Sequence, residues 1–414
     1  MLAKLNRSVR VHPVAEVTSR ADHEVEPAAA GLTPDAVGRI WRSIEDLYRS
    51  GSYPAIAFCL RRHDRVVLDR AIGHARGDTL ATPATLFNLF SASKAITAMV
   101  LHHLDDKGLV HLDDAVAEYI PEFARNGKAW ITLRHILTHR AGIPSIPGQQ
   151  VDVAILTDWD RIIEVLCDAR PVLAPGRRLA YHALTGGYVI GEVVRRVTGR
   201  DIRRVLREDI LDKVGIRHLS YGVSEAEAGS VAEHVATGPP VPWPLSLLVK
   251  RALGVGLDDA TRLSNDLRFR TSIVPAGNAI GTADEACRFY QLLLDEGQLG
   301  GVRVFEPRTV RRAVSETSYL ELDLTLGLPV RYGMGFMLGG DYLSIYGHRT
   351  PRAFGHLGFT NIITWADPDR DLAGALMTSG KAFVHAGLLR WLNVMRTVAR
   401  ECSQTGRLPR ESRL

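Results

Sequence analysis

The chain has 414 residues, of which 46% are hydrophobic, and it carries a formal net charge of +5. This composition is typical of a globular protein with a sizeable core, arranged as one large domain or two. The basic residues are interspersed with acidic ones and form no basic stripe with interleaved aromatic residues, so we expect no nucleic-acid partner.

Cysteine spacing and hydropathy argue against several further classes of protein. The four cysteines (Cys59, Cys167, Cys287 and Cys402) lack the paired spacing of a disulfide framework or a zinc site. The N-terminal stretch has no apolar segment of a secretory signal, and no run of about eighteen apolar residues is present to span a membrane. We therefore expect a cytoplasmic protein.

The predicted elements differ between the two ends of the chain and its middle. An N-terminal extension over residues 1–31 precedes a helix that begins after Thr33. Two strands are predicted over 53–61 and 65–75, and Ser91 then begins the next helix. From about residue 95 the apolar spacing predicts mostly helices, over 131–139, 159–168, 184–198 and 201–213.

Strand patterns return in the last third of the chain. The predicted elements are a helix over 284–296, extended segments over 331–338 and 361–366, a return strand over 372–378 and a last helix around 388–398. Strands at both ends around a helical middle indicate an α+β fold with a helical insertion.

This pattern predicts how the chain divides into domains. We expect an N-terminal extension over 1–31 and an α/β domain formed by 32–90 together with 271–401. A mostly helical domain is expected over 91–270, and a C-terminal tail over 402–414. In such an arrangement, Ser91 lies at a domain boundary.

Ser91 and Lys94 stand three residues apart in what the pattern predicts to be the first turn of a helix. Residues at i and i+3 share one helix face, with Cβ atoms about 5–6 Å apart. A lysine that is buried without an acidic partner loses its charge more easily, and a neutral amine can accept the proton of an attacking serine. An N-capping serine with a solvated lysine has the same spacing, so the surrounding sequence must decide between the two.

Tyr181 follows Pro175 and Gly176 and precedes the predicted helix over 184–198. A helix N-terminus and a nearby lysine ammonium would stabilise its phenolate, which would make Tyr181 a second proton carrier. The alternative is a buried tyrosine whose hydroxyl is simply hydrogen-bonded.

A third motif, Gly355 to Gly358, stands just ahead of a predicted strand. Glycine lets the backbone approach a ligand closely, and the strand could present an N–H to a developing oxyanion. His356 could add a hydrogen bond or a charge at the substrate. The alternative is a strand entry with a capping histidine.

In this order, the three motifs resemble those of the serine β-lactamase and penicillin-binding-protein superfamily, most closely its class C-like esterase branch, the family VIII esterases and lipases. The chain is similar to actinobacterial lipases and esterases of this group over about residues 31–400, including the segments 108–114, 136–144 and 276–284. The resemblance implies a β-lactamase/transpeptidase-like fold, with an antiparallel sheet flanked by helices and an all-helical domain.

The resemblance also implies a role for each motif. Ser91 would be the acylated nucleophile, Lys94 the group that activates it, and Tyr181 the proton relay to the leaving group. The backbone N–H groups of Ser91 and Phe359 would form the oxyanion hole. No metal or cofactor is implied.

Two motifs depart from the family pattern. Ala183 replaces the asparagine of the Tyr-x-Asn motif, and His356 to Gly358 replaces Lys-Thr-Gly beside the substrate. A neutral imidazole holds a substrate carboxylate less firmly than a permanent ammonium does. Both changes favour neutral esters over β-lactams.

Two further features invite alternative interpretations. Residues 241–253 are strongly apolar, and we hypothesise that they form a lip that accepts acyl chains or touches lipid, the alternative being ordinary core of the helical domain. His135 and His139 have the spacing of zinc ligands but lack the accompanying glutamate, and we interpret them as helix packing.

The sequence thus predicts a serine hydrolase that cleaves small-molecule carboxylic esters through an acyl-enzyme. The alternatives are an acyltransferase or transesterase, a β-lactamase or D-Ala-D-Ala peptidase, and a non-catalytic binding protein that retains the fold. The complete set of Ser91, Lys94 and Tyr181 disfavours the last of these. The oligomeric state is not specified by the sequence.

Overall fold

The computed structural model describes residues 7–147, 151–383, 385 and 387–405. No helix in this part of the chain is both long enough and apolar enough to cross a membrane. The helices are α1 (Val14–Val17), α2 (Pro34–Tyr48), α3 (Ser93–Asp106), α4 (Val116–Tyr119), α5 (Leu133–Leu137), α6 (Val153–Thr157), α7 (Trp159–Asp168), α8 (Thr185–Thr198), α9 (Ile202–Leu206), α10 (Leu245–Leu253), α11 (Leu257–Leu263), α12 (Leu267–Thr271), α13 (Ala283–Leu294), α14 (Pro307–Ala313) and α15 (Gly387–Glu401).

The strands are concentrated at the two ends of the chain. They are β1 (Thr18–Arg20), β2 (Ala55–Arg62), β3 (Arg65–Arg76), β4 (Thr79–Leu80), β5 (Phe87–Asn88), β6 (Ser220–Tyr221), β7 (Val235–Ala236), β8 (Ala279–Gly281), β9 (Gln298–Leu299), β10 (Val302–Arg303), β11 (Ser318–Asp323), β12 (Leu328–Tyr332), β13 (Met337–Leu338), β14 (Phe354–Leu357), β15 (Ile363–Asp367), β16 (Leu372–Thr378) and β17 (Gly380–Lys381).

One large antiparallel sheet joins the two ends of the chain. Its strand order is β1-β3-β2-β16-β15-β14-β13-β12-β11, and β4 pairs with β3 beside this path. β2 pairs with β16, so a strand from the N-terminal part hydrogen-bonds directly to one from the C-terminal part. The sheet and the helices between its halves confirm the predicted α+β class.

Both faces of the sheet are covered by helices. Ile56, Phe58 and Leu60 of β2 pack in one core with α2 and α15, while Ala57 and Cys59 belong to a second core that includes α13 and α3. Successive side chains of a strand point to opposite faces, which explains this alternation. The near-continuous apolar sequence of β2 reflects burial on both sides.

The N-terminal segment is more ordered than the predicted extension. Thr18–Arg20 forms the edge strand β1, with Thr18 opposite Ile72 of β3, and Val17 is buried in the core with α2. A three-residue strand carries too little alternation to be recognised in a sequence, so β1 was not predicted from the sequence. Residues 1–6 and 406–414 lie outside the described residues, and the proposed division into domains stays a prediction.

Two predicted elements have different bounds in the structure. The helix expected over 201–213 is α-helical only to Leu206 and continues as a π turn (Arg207–Leu211) and a 3-10 turn (Asp212–Val214). β15 begins at Ile363 because Thr360 and Asn361 before it adopt positive φ angles of 48° and 63°. An extended strand cannot contain such residues.

A small sheet of β5, β8 and β6 holds the segment that leads to Ser91. β5 is antiparallel to β8, with Asn88 opposite Ile280. Leu89 donates its N–H to the Ala279 carbonyl at 2.8 Å. The turn that carries Ser91 is therefore fixed against the segment that contains Ala276.

Candidate active site

Ser91 lies in a 3-10 turn, Phe90–Ala92, directly before α3, rather than in the first turn of the helix itself. Two side chains hold this turn. Asn88 Oδ1 accepts the Phe90 N–H at 2.9 Å, and the Ser93 hydroxyl donates to the Phe90 carbonyl. Ser91 is half-buried, so its hydroxyl is held in place while part of the residue remains open to solvent.

Lys94 lies in the first turn of α3 and is only 9% exposed. Its Nζ is 3.2 Å from Ser91 Oγ, 2.6 Å from the Ala183 carbonyl oxygen and 3.0 Å from the Ala276 carbonyl oxygen. Burial lowers the pKa of Lys94 to about 7. A neutral amine has two hydrogens and one lone pair, so when both carbonyls accept hydrogen bonds, the lone pair faces Ser91 Oγ.

Tyr181 is buried between Ser91, Lys94 and α8. Its hydroxyl is hydrogen-bonded to Ser91, and Lys94 Nζ lies 4.8 Å from the centroid of its ring. Burial raises the pKa of Tyr181, and the hydrogen bond with Ser91 only partly opposes this effect. The predicted phenolate stabilisation is therefore wrong, because burial disfavours the charged form, and Tyr181 is a neutral phenol.

Asp323, at the end of β11, holds the backbone of Tyr181 and was missed by the sequence interpretation. Its Oδ1 accepts the N–H groups of Tyr181 (3.1 Å), Thr325 (2.8 Å) and Leu326 (3.0 Å). Burial raises the pKa of this carboxyl group. An aspartate that accepts the N–H of the residue two positions later, as Asp323 does from Thr325, forms a common turn pattern. This pattern was the only signal for Asp323 in the sequence.

His139 also lies beside the site, contrary to its interpretation as helix packing. It follows α5 with a positive φ of 58°, and its ring centroid is 4.8 Å from that of Tyr181. Its Nδ1 accepts the His182 N–H at 3.2 Å, and burial lowers the pKa of His139 well below its ordinary value. A cavity of about 30 Å³ lies between His139, His182 and Lys94.

His356 lies on β14 and is buried, with its ring centroid 6.2 Å from that of Tyr181. Burial and the nearby Lys94 lower the pKa of His356 to about 3, so the imidazole is neutral. Of the two contributions left open by the sequence, a hydrogen bond or a charge, the neutral ring disfavours the charge, and the hydrogen bond stays a prediction. His356 Nδ1 donates to the Leu357 carbonyl at 2.7 Å, which leaves Nε2 as an acceptor.

The end of β14 packs against the turn that carries Ser91. A Cβ on Gly358 would lie 2.4 Å from the Leu89 carbonyl oxygen, so only glycine allows this approach. The rings of Phe359 and Phe90 pack in a tilted arrangement with their centroids 5.3 Å apart. Within the described residues, the Phe359 N–H donates to no backbone carbonyl, and the predicted oxyanion role of this N–H stays a prediction.

The structure thus brings Ser91, Lys94 and Tyr181 together, as expected from their motifs. The sequence of the chain matches the beta-lactamase family model over residues 40–398. The chain belongs to the beta-lactamase family. This confirms the resemblance that was inferred from the motifs.

Individual relatives of this beta-lactamase family member agree with that assignment. The esterase/beta-lactamase LipL of Mycobacterium tuberculosis is 28% identical over 341 residues, which are 78% of this chain and 76% of LipL. A penicillin-binding protein homologue from Caulobacter crescentus superposes with a TM-score of 0.79 and 29% identity, over 90% of this chain and 99% of the homologue. A family VIII carboxylesterase superposes with a TM-score of 0.77 and 26% identity, over 90% and 98% of the two chains. These likenesses confirm the predicted β-lactamase/transpeptidase-like fold.

The two departures of this beta-lactamase family member lie next to the three motif residues. Ala183 offers Lys94 a backbone carbonyl but no side-chain amide, and His356 offers an uncharged ring where an ammonium was expected. The site therefore lacks a cation at the His356 position and an amide at the Ala183 position. Both groups would be needed to bind a carboxylate or an amide side chain there.

Proposed function

We propose that this protein is a serine hydrolase that cleaves carboxylic esters through an acyl-enzyme on Ser91. The observation that carries the proposal is the environment of Lys94, a buried amine bonded to two carbonyl oxygens, with its Nζ 3.2 Å from Ser91 Oγ. The names of LipL, an esterase/beta-lactamase, and of the family VIII carboxylesterase support the ester class of substrate.

The acylation step follows from the contacts of Ser91. Lys94 accepts the hydroxyl proton as Ser91 Oγ bonds to the ester carbonyl carbon. The carbonyl oxygen becomes negative and accepts hydrogen bonds from the N–H groups of Ser91 and Phe359. The bond from the carbonyl carbon to the alkoxy oxygen then breaks, and the proton passes from Lys94 through Tyr181 to that oxygen, so an alcohol leaves.

The deacylation step returns the enzyme to its starting state. Water attacks the acyl carbon and gives its proton, through Tyr181, to Lys94. The bond to Ser91 Oγ breaks, Ser91 regains a proton, and the carboxylic acid leaves. Tyr181 takes part as a neutral phenol, which both donates a proton and accepts one, so no stable phenolate is required.

The neutral surroundings favour esters over β-lactams. His356 is uncharged and therefore supplies no cation with which to hold a substrate carboxylate. Ala183 has no polar side chain with which to bind an amide. We infer an uncharged small-molecule ester as the preferred substrate class.

The acyl-enzyme can be detected directly. We expect that p-nitrophenyl esters will add the mass of their acyl group to the protein, on the peptide that contains Ser91, and that Ser91→Ala will show neither the adduct nor turnover. Intact-mass spectrometry with peptide mapping measures this. Turnover that survives in Ser91→Ala would refute the proposal, and an adduct that is released only when an alcohol is added would identify an acyltransferase.

We further propose that residues 241–253, the α10 lip, contact lipid or long acyl chains. Trp243, just before α10, and Leu247, Lys250 and Arg251 within α10 are all exposed. Large apolar residues followed by cations suit the interface of an anionic lipid surface. A contact near the site supports the proposal, since the last residue of the lip, Leu253, lines a cavity of about 30 Å³ together with Ala183, whose carbonyl bonds Lys94.

Removing the exposed apolar groups of the lip should change chain-length preference. We expect the double variant Trp243→Ala, Leu247→Ser to lower the ratio of kcat/KM for p-nitrophenyl octanoate over butyrate by about tenfold, because burial of these side chains against the acyl chain is lost. Trp130→Ala is the matched control, since Trp130 is also exposed but packs on His135. An unchanged ratio in the folded double variant would contradict the lip.

A further inference from the structure

A second buried lysine lies beneath the proposed oxyanion hole. Lys381, at the end of β17, is fully buried. Its Nζ donates to the carbonyl oxygens of Phe359 at 3.2 Å and Thr378 at 2.8 Å. The proposed reaction makes no use of Lys381, and its hydrogen bonds within the described residues are to carbonyl groups rather than to carboxylates.

Lys381 also contacts the residue just before the nucleophile. Its Nζ lies 4.6 Å from the centroid of the Phe90 ring. Phe90 adopts a positive φ of 50°, which is costly for a residue with a bulky side chain and persists only where surrounding contacts impose it. The Phe90 ring is packed between His234, at 4.8 Å, and Phe359, at 5.3 Å, measured between ring centroids.

We propose that Lys381 is a positioning residue that fixes the two backbone segments of the oxyanion hole relative to each other. Its Nζ bonds one segment at the Phe359 carbonyl and contacts the other at the Phe90 ring. The N–H of Phe359 is one proposed oxyanion donor, and Phe90 directly precedes Ser91, whose N–H is the other. The inference rests on the proposed function, because the hole is needed only if Ser91 forms a tetrahedral intermediate.

Both carbonyl contacts of Lys381 persist whatever its charge. Burial lowers the pKa of Lys381, but a neutral amine still has two N–H groups, one for Phe359 and one for Thr378. Without Nζ, the Phe359 carbonyl would lose this donor, and the peptide that follows the oxyanion N–H would be free to rotate. Since oxyanion donors stabilise the transition state only in a fixed geometry, we expect the loss to appear in kcat.

The test compares Lys381→Met with Lys128→Met. Lys128 is a second fully buried lysine, which bonds the carbonyls of Arg125 and Cys167 away from Ser91. Active sites are first counted by titration with a fluorophosphonate, which bonds covalently to a reactive serine. Then kcat per site, KM and the affinity for an alkyl boronic acid are measured. The boronic acid forms a tetrahedral adduct with Ser91 Oγ and thus mimics the transition state.

We expect Lys381→Met to lower kcat per site and boronic-acid affinity by a similar factor, about 10- to 100-fold, with little change in KM. Lys128→Met is expected to lower Tm but to leave kcat per site unchanged. Lys381→Arg, which keeps donors for the two carbonyls, should recover part of the lost kcat. Should Lys381→Met fail to fold, Phe90→Leu removes the ring that Lys381, His234 and Phe359 contact while Lys381 keeps both carbonyl bonds, and it should give the same pattern with a smaller loss.

Two outcomes would overturn the inference, and they distinguish a failure of the positioning role from a failure of the proposed function. A folded Lys381→Met with fewer active sites but normal kcat per site and normal boronic-acid affinity would show a purely structural role. A wild-type protein that forms no acyl adduct and binds no boronic acid would refute the proposed function, and the positioning role with it.

Discussion

Lys94→Met is expected to lower kcat/KM for p-nitrophenyl esters by about a thousandfold. Methionine has nearly the same length and fills the same buried space, but it cannot accept the proton of Ser91. The lysine Nζ is 3.2 Å from Ser91 Oγ, and its other contacts are the carbonyls of Ala183 and Ala276. The variant should therefore keep its fold and lose the acylation step, as measured by steady-state kinetics and by the rate of adduct formation.

The same lysine predicts the pH dependence of the wild-type reaction. Since burial lowers the pKa of Lys94 to about 7, the amine is mostly protonated below that pH and mostly neutral above it. Only the neutral form accepts a proton, so kcat/KM should fall about tenfold per pH unit below about pH 7 and level off above it. The residual activity of Lys94→Met should lack this titration. If Lys94→Met lost a thousandfold in kcat/KM but kept the titration near pH 7, that titration would belong to another group.

Gly358→Ala is expected to lower kcat by about a hundredfold. The new Cβ would lie 2.4 Å from the Leu89 carbonyl oxygen and 2.8 Å from the Ile362 side chain. Leu89 is anchored, because its N–H is bonded to the Ala279 carbonyl, so the end of β14 must move instead. That movement carries the Phe359 N–H away from Ser91, and the loss of one oxyanion donor has an effect of about this size.

A matched glycine separates this effect from general strain. A Cβ on Gly340 would also meet a backbone carbonyl, that of Leu343, at 2.7 Å, but Gly340 makes no contact with the motif residues of the site. Gly340→Ala should therefore lower Tm without lowering kcat per active site. Equal kcat values for both variants, after active-site titration, would contradict the proposed placement of the oxyanion hole.

Most of the architecture was predictable because it depends on patterns that are local in sequence. The alternation and apolar runs of β2, β3 and β16 identify strands, and the apolar faces of α2, α7 and α13 identify helices, close to their observed bounds. Elements with only a few residues, such as β1, were missed because a short strand takes its stability from its partner strand rather than from its own sequence.

The sequence by itself determined the family, the fold class and the candidate side chains Ser91, Lys94 and Tyr181, because short motifs in a fixed order specify them. Only the tertiary structure decided their charge states. The lowered pKa of Lys94 and the neutral phenol of Tyr181 follow from burial, which depends on every element packed around the site and cannot be read from any one motif.

The supporting groups were likewise decided by the tertiary structure. The acceptors of Lys94 are backbone carbonyls of Ala183 and Ala276, which every residue type possesses and no motif can mark. Asp323 reaches Tyr181 from 142 positions further along the chain, and Lys381 reaches Phe359 from 22 positions further along. A sequence indicates which side chains are available for chemistry, whereas the packing of the sheet and helices decides which backbone groups hold them.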